Sequence, residues 1–334
     1  MAAAYMTAAQ QRLAGLWQRS RCRAAVPDAV VGVALSGAGW RRERALRTVT
    51  DTAVFTVNGP RGEPGVLKAA MTESSMAGLR RESEVLRQLW SDEQLGDWRA
   101  VLPVPLDAGN AGAGAFLLTS RLPGQVARDL PREAVSRLTP SAVDAISLLH
   151  QRTQTVRVVD ETLLVQWVDQ PAERIRMALP SNGVVGCLAG ALRSDLAGRP
   201  LTLGWAHGDF HPGNILVSAD GRVTGIVDWG GAREQDLSVL DLAFWLLTVP
   251  SPGQPREFGK RIAARLNSER FWTPAESRLL GGVTDGDLAT GRTLLLLAWL
   301  RHVASNLGKS DRYGGNPLWL RWNVIPVLRQ VANG

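Results

Sequence analysis

A chain of 334 residues is long enough for one large or two modest domains, each with its own apolar core. Its 45% hydrophobic and 21% charged content is that of a folded globular protein, and the longest apolar stretch, Leu294–Leu300, stops at Arg301, too short to span a membrane. The net charge is +7, but the basic residues are scattered, and the densest run, Arg41-Arg42-Glu43-Arg44 with Arg47, lacks zinc ligands and stacking aromatics, so no nucleic-acid partner is expected.

In chain order, residues 1–27 read as a helix around Thr7–Gln18 and a basic linker ending at Pro27. Short β-type runs follow at Val30–Leu35, Arg47–Val57 and Gly65–Ala69, broken by the turn residues Ser36–Gly39 and Asn58–Gly62. Thr72–Trp90 reads as a helix with Met76, Leu79, Leu86 and Leu89 on one stripe. Pro103 and Pro105 precede an apolar strand, Ala115–Thr119, that runs into Leu122-Pro123-Gly124. Thr139-Pro140 opens a capped helix to about Arg152, and residues 156–200 read as further helices with loops. A β-rich interlude at Asn214–Val217 and Val223–Trp229 turns at Asp220-Gly221. Beyond it, helices are expected near 236–249, 254–267, 284–306 and 317–332, with a capped start at Thr273-Pro274. The expected class is α+β with two lobes: a linker and N-terminal helix at 1–27, a small β-rich lobe with one key helix at 28–122, and a larger, mostly helical lobe at 123–334. Two lobes with a hinge imply a cleft for ligands.

The strongest local signal is His207-Gly208-Asp209-Phe210-His211-Pro212-Gly213-Asn214, followed by the strand Ile215–Val217 and then by Ile226-Val227-Asp228-Trp229. Asp228 ends an apolar strand, where a carboxylate is expensive unless a cation or donor meets it. Phosphoryl transfer requires such a set. Mg²⁺ takes one or two carboxylates and leaves its other positions to water and phosphates; Asp228 and Asn214 can supply protein oxygens. Asp209 can accept a hydrogen bond from an acceptor hydroxyl and align it for attack.

His-Gly-Asp-x-x-x-x-Asn with a later Ile-Val-Asp-Trp resembles the aminoglycoside phosphotransferase and choline kinase group of the protein-kinase-like fold, as does Asp241-Leu242-Ala243 at a helix start. The resemblance implies a Mg²⁺-dependent kinase that moves the γ-phosphoryl group of ATP (or GTP) to a small-molecule hydroxyl. It makes Asp209 the catalytic aspartate and Asn214 and Asp228 the metal ligands, with His207 and Asp241 supporting the loop. It also sets the nucleotide base against the backbone near Leu118–Leu122, at Ser120, Arg121 and Leu122.

The first lobe adds a cation. Of 38 basic residues only Lys68, Lys260 and Lys309 are lysine, and Lys68 ends the strand Gly65–Lys68. Lysine is a compact point charge that the planar fork of arginine does not replace. The following helix offers Glu82 and Glu84; Glu82 falls between Leu79 and Leu86 on the inward stripe, so it is the expected partner of Lys68 on the nucleotide phosphates. The Ser36–Gly39 turn could cover those phosphates or be an ordinary hairpin turn.

His211, Trp299 and His302 are candidate acceptor contacts, with Trp319 and Trp322 open to the same reading; His150 and Trp229 read as packing residues. Formally, His207, Asp209 and His302 match a facial triad for non-haem iron, which leaves Asn214, Asp228, Lys68 and Glu82 unexplained. A non-catalytic nucleotide-binding module is the other alternative. A protein kinase is disfavoured by His-Gly-Asp in place of His-Arg-Asp and by the lack of an Ala-Pro-Glu segment. Residues 240–334 hold 12 basic and 7 acidic residues, which disfavours a polycationic acceptor and points to a neutral or anionic one. An antibiotic or related secondary metabolite fits, as does a primary metabolite such as a sugar or amino alcohol. Cys22 and Cys187 lack metal spacing, and the start of the chain lacks a secretory pattern, so a cytoplasmic, membrane-free location is expected. The oligomeric state is not legible.

Overall fold

The computed structural model describes residues 28–36, 39–46, 48, 51–179, 183–251, 253–281, 291–309 and 311–333. The helix expected at Thr7–Gln18, and Cys22, lie outside them. The chain divides into two compact units, one taking residues up to Arg80 with Pro105–Arg121 and the other Arg81–Val104 with Leu122–Gly334. No described helix is long and apolar enough to cross a membrane.

The first unit is built on a helix, α1 (Asp28–Ser36), and strands β1 (Arg41–Leu46), β2 (Thr52–Asn58) and β3 (Pro64–Ala70). Helix α2 (Glu73–Ser91) follows, in the first unit only as far as Arg80, then β4 (Pro105–Ala111) and β5 (Gly114–Ser120). The sheet is antiparallel throughout, in the order β1-β2-β3-β5-β4. The strand expected at Val30–Leu35 is helix α1. Its apolar run has no clean period by itself, but Val30, Val31, Ala34 and Leu35 are buried at helical spacing and Val33 is exposed. That face packs on Phe55, Leu67, Phe116 and Leu118 of the sheet. Consequently Ser36 closes α1 and Gly39 lies before β1, so the two residues stand between a helix and a strand and not between two strands, with Gly37 and Ala38 outside the described residues. The first strand connection instead falls between Leu46 and Thr52, where the Thr48 hydroxyl donates to the Thr52 carbonyl at 2.9 Å. The basic run at Arg41–Arg44 is the exposed edge strand β1, and charge on an edge discourages pairing with other chains.

The second unit begins with a 3₁₀ segment, Glu93–Val101, and continues through β6 (Gln125–Val126), α3 (Arg132–Arg137), α4 (Thr139–Thr153) and β7 (Thr155–Val158). Next come α5 (Glu161–Leu164), a π-helical turn (Val165–Asp169), α6 (Gln170–Ala178), α7 (Val184–Leu196) and β8 (Pro200–Ala206). Strands β9 (Ile215–Val217), β10 (Val223–Ile226) and β11 (Arg233–Asp236) lead into α8 (Val239–Thr248). The chain ends in α9 (Phe258–Leu266), α10 (Pro274–Gly281), α11 (Arg292–Lys309), α12 (Asp311–Gly314), α13 (Pro317–Asn323) and α14 (Ile325–Asn333).

Two three-stranded sheets, β10-β9-β6 and β11-β8-β7, sit among these helices. Strands β7, β8 and β11 replace parts of what reads as helix and loop. Thr139 does not cap α4: α3 runs almost directly into it through Leu138, and the Thr139 hydroxyl accepts from the Trp245 indole at 3.3 Å. By contrast Thr273 does cap α10, exchanging hydrogen bonds of 3.2 and 2.8 Å with Glu276 in a capping box. The last expected helix is two, α13 and α14, with Pro326 in the first turn of the second.

Candidate active site

The segment 207–214 is held from below by one carboxylate. Asp241, in the first turn of α8 and 1% exposed, accepts the backbone N–H of His207 at 2.7 Å and of Gly208 at 2.9 Å. His150, buried on α4, lies 3.2 Å from the same carboxylate. The ring of His207 is fully committed: Nε2 lies 3.0 Å from the Val227 carbonyl, and Nδ1 accepts the Asp209 N–H at 3.2 Å. That pattern fits the neutral Nε2-protonated tautomer. With both ring nitrogens bonded to backbone, His207 cannot join Asp209 and His302 in an iron triad. Gly208 takes φ 76°, and a Cβ there would stand 2.4 Å from the Gly231 carbonyl oxygen, so only glycine fits between His207 and Asp209.

Asn214 and Asp228 sit on either side of the β9–β10 hairpin. The Asn214 side-chain nitrogen donates to the Asp209 carbonyl at 3.0 Å, which fixes the amide and leaves its oxygen as the acceptor. The Val227 N–H donates to the Asn214 carbonyl at 2.9 Å, tying the two segments together. Asp228 takes a left-handed conformation, φ 70° and ψ 59°, strained for a non-glycine residue. It is exposed, and Trp229 beside it is fully buried with its indole N–H on the Ile226 carbonyl at 2.8 Å. Glu82, 3% exposed on α2, accepts the Trp229 N–H at 3.3 Å, whereas Glu84 is exposed and bonded to Gln88, as helical phase requires.

Around Asp209 a second set converges, and most of it comes from α11. The Lys309 ammonium donates to Asp209 Oδ2 at 2.8 Å, and His211 Nε2 lies 3.8 Å from Oδ1. Burial alone would raise the Asp209 carboxyl; Lys309, His211 and His302 outweigh it and hold the group well below the usual carboxylate range. Burial, opposed by Asp209, pushes His302 down to about 4, so its ring is neutral, packed between Phe244 and Phe258. His211 is lowered in the same way, with its Nδ1 accepting the Gly213 N–H at 2.9 Å. A cavity of about 30 Å³, space for one or two waters, is lined by Asp209, Phe244, Arg301, His302, Asn306 and Lys309 among others.

Lys309 is the residue that sequence reasoning missed, although it is one of only three lysines in an arginine-rich chain. The remaining expectations divide. Trp299 is a core residue, fully buried with its indole N–H on the Asn323 carbonyl at 2.8 Å, and not an acceptor contact. Trp322 lies under the Lys260 ammonium. Lys68 stands on the central strand β3 of the first unit, opposite Val54 and Leu117. Arg121 has its N–H on the Pro64 carbonyl at 3.1 Å and its guanidinium 3.4 Å from Glu43, so its N–H is not open to a nucleotide base. Ser120 ends β5, and Leu122 is half-buried against Gly225 in the second unit.

The sequence matches no curated protein, but several solved structures share its fold. An aminoglycoside-3′-phosphotransferase of type VIII is 21% identical, with a TM-score of 0.54 over 82% of this chain and 97% of its own. A thermostable mutant of the aminoglycoside phosphotransferase APH(4)-Ia, in a ternary complex with ADP and hygromycin B, is 17% identical at TM-score 0.53, over 90% of this chain and 98% of its own. A macrolide 2′-phosphotransferase from Brachybacterium faecium is 17% identical at TM-score 0.51, over 92% and 97%. Residues 43–280, well over half the chain, match the phosphotransferase enzyme family and contain the whole 207–214 and 226–229 motif pair: the chain belongs to that family.

Proposed function

We propose that the protein transfers the γ-phosphoryl group of ATP (or GTP) to a hydroxyl of a small molecule, an antibiotic or related secondary metabolite. The observation that carries this reading is the locked loop: one buried carboxylate, Asp241, holds the 207–208 backbone while Asn214 is clamped to the Asp209 carbonyl. Asp209 is then fixed as the hydrogen-bond acceptor that aligns the acceptor hydroxyl, and its ionised form is the one its neighbours favour. A structural relative bound to ADP and an aminoglycoside supports a nucleotide donor and an antibiotic-like acceptor.

The donor set fits Mg²⁺. One carboxylate, Asp228, and one carboxamide oxygen, Asn214, match a cation that keeps most of its sites for water and phosphate. Asp228 and Asn214 would hold the ion, which would offset the charge that grows on the transferring phosphoryl group. Lys68 supplies a further cation to the nucleotide phosphates, and the backbone at Ser120 receives the base. The work of His207 and Asp241 is to hold the loop, and that of His211 and His302 to shape the acceptor side in neutral form. The site calls for cytoplasmic nucleotide. An ADP-release assay over a panel of hydroxylated acceptors, with products identified by mass, tests the reading. ADP release that Asp228→Asn leaves unchanged sinks it.

A further inference from the structure

Helix α11 is apolar on most of its surface, but Arg301, His302, Ser305, Asn306 and Lys309 recur at helical spacing and line the cavity beside Asp209. This polar stripe continues into a group of arginines. Arg233 opens β11 and pairs in register with Ala206 of β8, another cavity residue. Arg174, on α6, lies against Gly308: a Cβ there would stand 3.1 Å from Arg174 Nη1. Gly308 directly precedes Lys309, the lysine on Asp209.

Arg233, Arg174 and Arg81 of α2 are exposed, and their guanidiniums make no hydrogen bond or ion pair among the described residues. Burial and the nearby Arg301, only partly offset by Asp236, hold the Arg233 guanidinium below its ordinary value, with Arg81 and Arg174 adding to the repulsion. Three nearby carboxylates have other partners, while Glu234, the residue after Arg233 on β11, is exposed to solvent. Asp236 receives Arg301 through two bonds, of 2.8 and 2.5 Å, and also the Leu237 N–H. Glu173 is bonded to Arg176, and Asp241 to the 207–208 backbone. Guanidiniums gathered with no ion pair among the described residues can recognise an anion, and their planar fork suits phosphate and carboxylate alike.

We propose that Arg174 and Arg233 form an anion-binding rim beside the Asp209 cavity, and that the acceptor is a hydroxylated molecule bearing a phosphate or carboxylate group. The anionic group seats on the rim while the hydroxyl reaches Asp209 between Lys309 and His211. The link from rim to acceptor rests on the kinase reading above; the rim itself does not. A polycation is repelled at the same place, since Lys309 already occupies one oxygen of Asp209.

The test has a binding arm and a turnover arm, both on the full chain with the magnesium complex of a non-hydrolysable ATP analogue or of ATP. With the analogue saturating the nucleotide site, inorganic phosphate and succinate are titrated calorimetrically against wild type and Arg174→Gln/Arg233→Gln. Wild type binds at least one of the two, and the double variant binds it at least tenfold more weakly while holding the analogue equally well. Phosphate alone, or succinate alone, identifies the anionic group. Equal binding by both proteins, or no binding of either probe by wild type, overturns the rim. In the turnover arm, acceptors bearing phosphate, carboxylate, no charge or several amines are compared by kcat/KM. Preference for an anionic acceptor, lost in the double variant through KM at similar kcat, supports the acceptor class; preference for the polyamine overturns it. Rim binding without any turnover counts against the kinase reading and leaves the rim standing.

Discussion

Asp241 shows how one side chain can set a whole loop. Replacing it with alanine strips the His207 and Gly208 N–H groups of their acceptor in a buried place, where each unsatisfied group costs about 1–3 kcal/mol. Asp241→Ala is expected to lower the urea midpoint by an amount equivalent to at least ~2 kcal/mol and to lower turnover by roughly tenfold or more, while nucleotide affinity stays near wild type. An unchanged midpoint would show that the loop is held by something else. The motif around Asp241 is legible in the sequence because phosphoryl transfer needs carboxylates and a carboxamide close together, and chain proximity brings them close. Lys309 is not, because it comes from 100 positions away and no local pattern marks it apart from its being lysine. Trp299 was open to the wrong reading for a related reason: a tryptophan on an amphipathic helix does not reveal which face it occupies until the neighbouring helices are known.

At the level of elements, the cross-link of β11 to α11 is the buried Arg301–Asp236 pair. Burial would raise the Asp236 carboxyl, but Arg301, the Leu237 N–H and Arg233 hold it below its ordinary value. A carboxyl depressed in the folded chain contributes stability that is complete above its unfolded value, about 3.9, and is lost as pH falls through the folded value. The stability difference between wild type and Asp236→Asn, read by urea melts, is therefore expected to be constant from about pH 5 to 7 and to shrink below about pH 4. A difference that grows on acidification would contradict the pairing.

The Gly208 turn is the other element-level constraint. Gly208→Ala forces a Cβ to within 2.4 Å of the Gly231 carbonyl at positive φ, so a loss of about 1–3 kcal/mol and a sharp drop in turnover are expected. A fully active, equally stable alanine variant would show that the 207–209 backbone has another conformation. Elements with a strong helical period, α2 and α4, are readable from the sequence. Helix α1 is not, because Val30–Leu35 is a short apolar run that suits helix or strand. Edge strands β1, exposed up to Ala45, and β7, exposed throughout, carry no alternation to read.

Across the whole molecule, the order of elements fits the expected small β-rich unit followed by a larger helical one, and the family match covers most of both. What composition and patterning could not supply is the set of side chains from α8 and α11 that meets around Asp209. The central claim is that this residue serves phosphoryl transfer to an acceptor hydroxyl. The most direct measurement is the mass of the product formed from ATP and acceptor by wild type and by Asp209→Ala, run side by side with ADP affinity measured for each. Wild type is expected to add one phosphoryl group to an acceptor, and the variant to lose at least ~10²-fold in rate with ADP affinity unchanged. Full turnover by Asp209→Ala on the same acceptor would contradict the account.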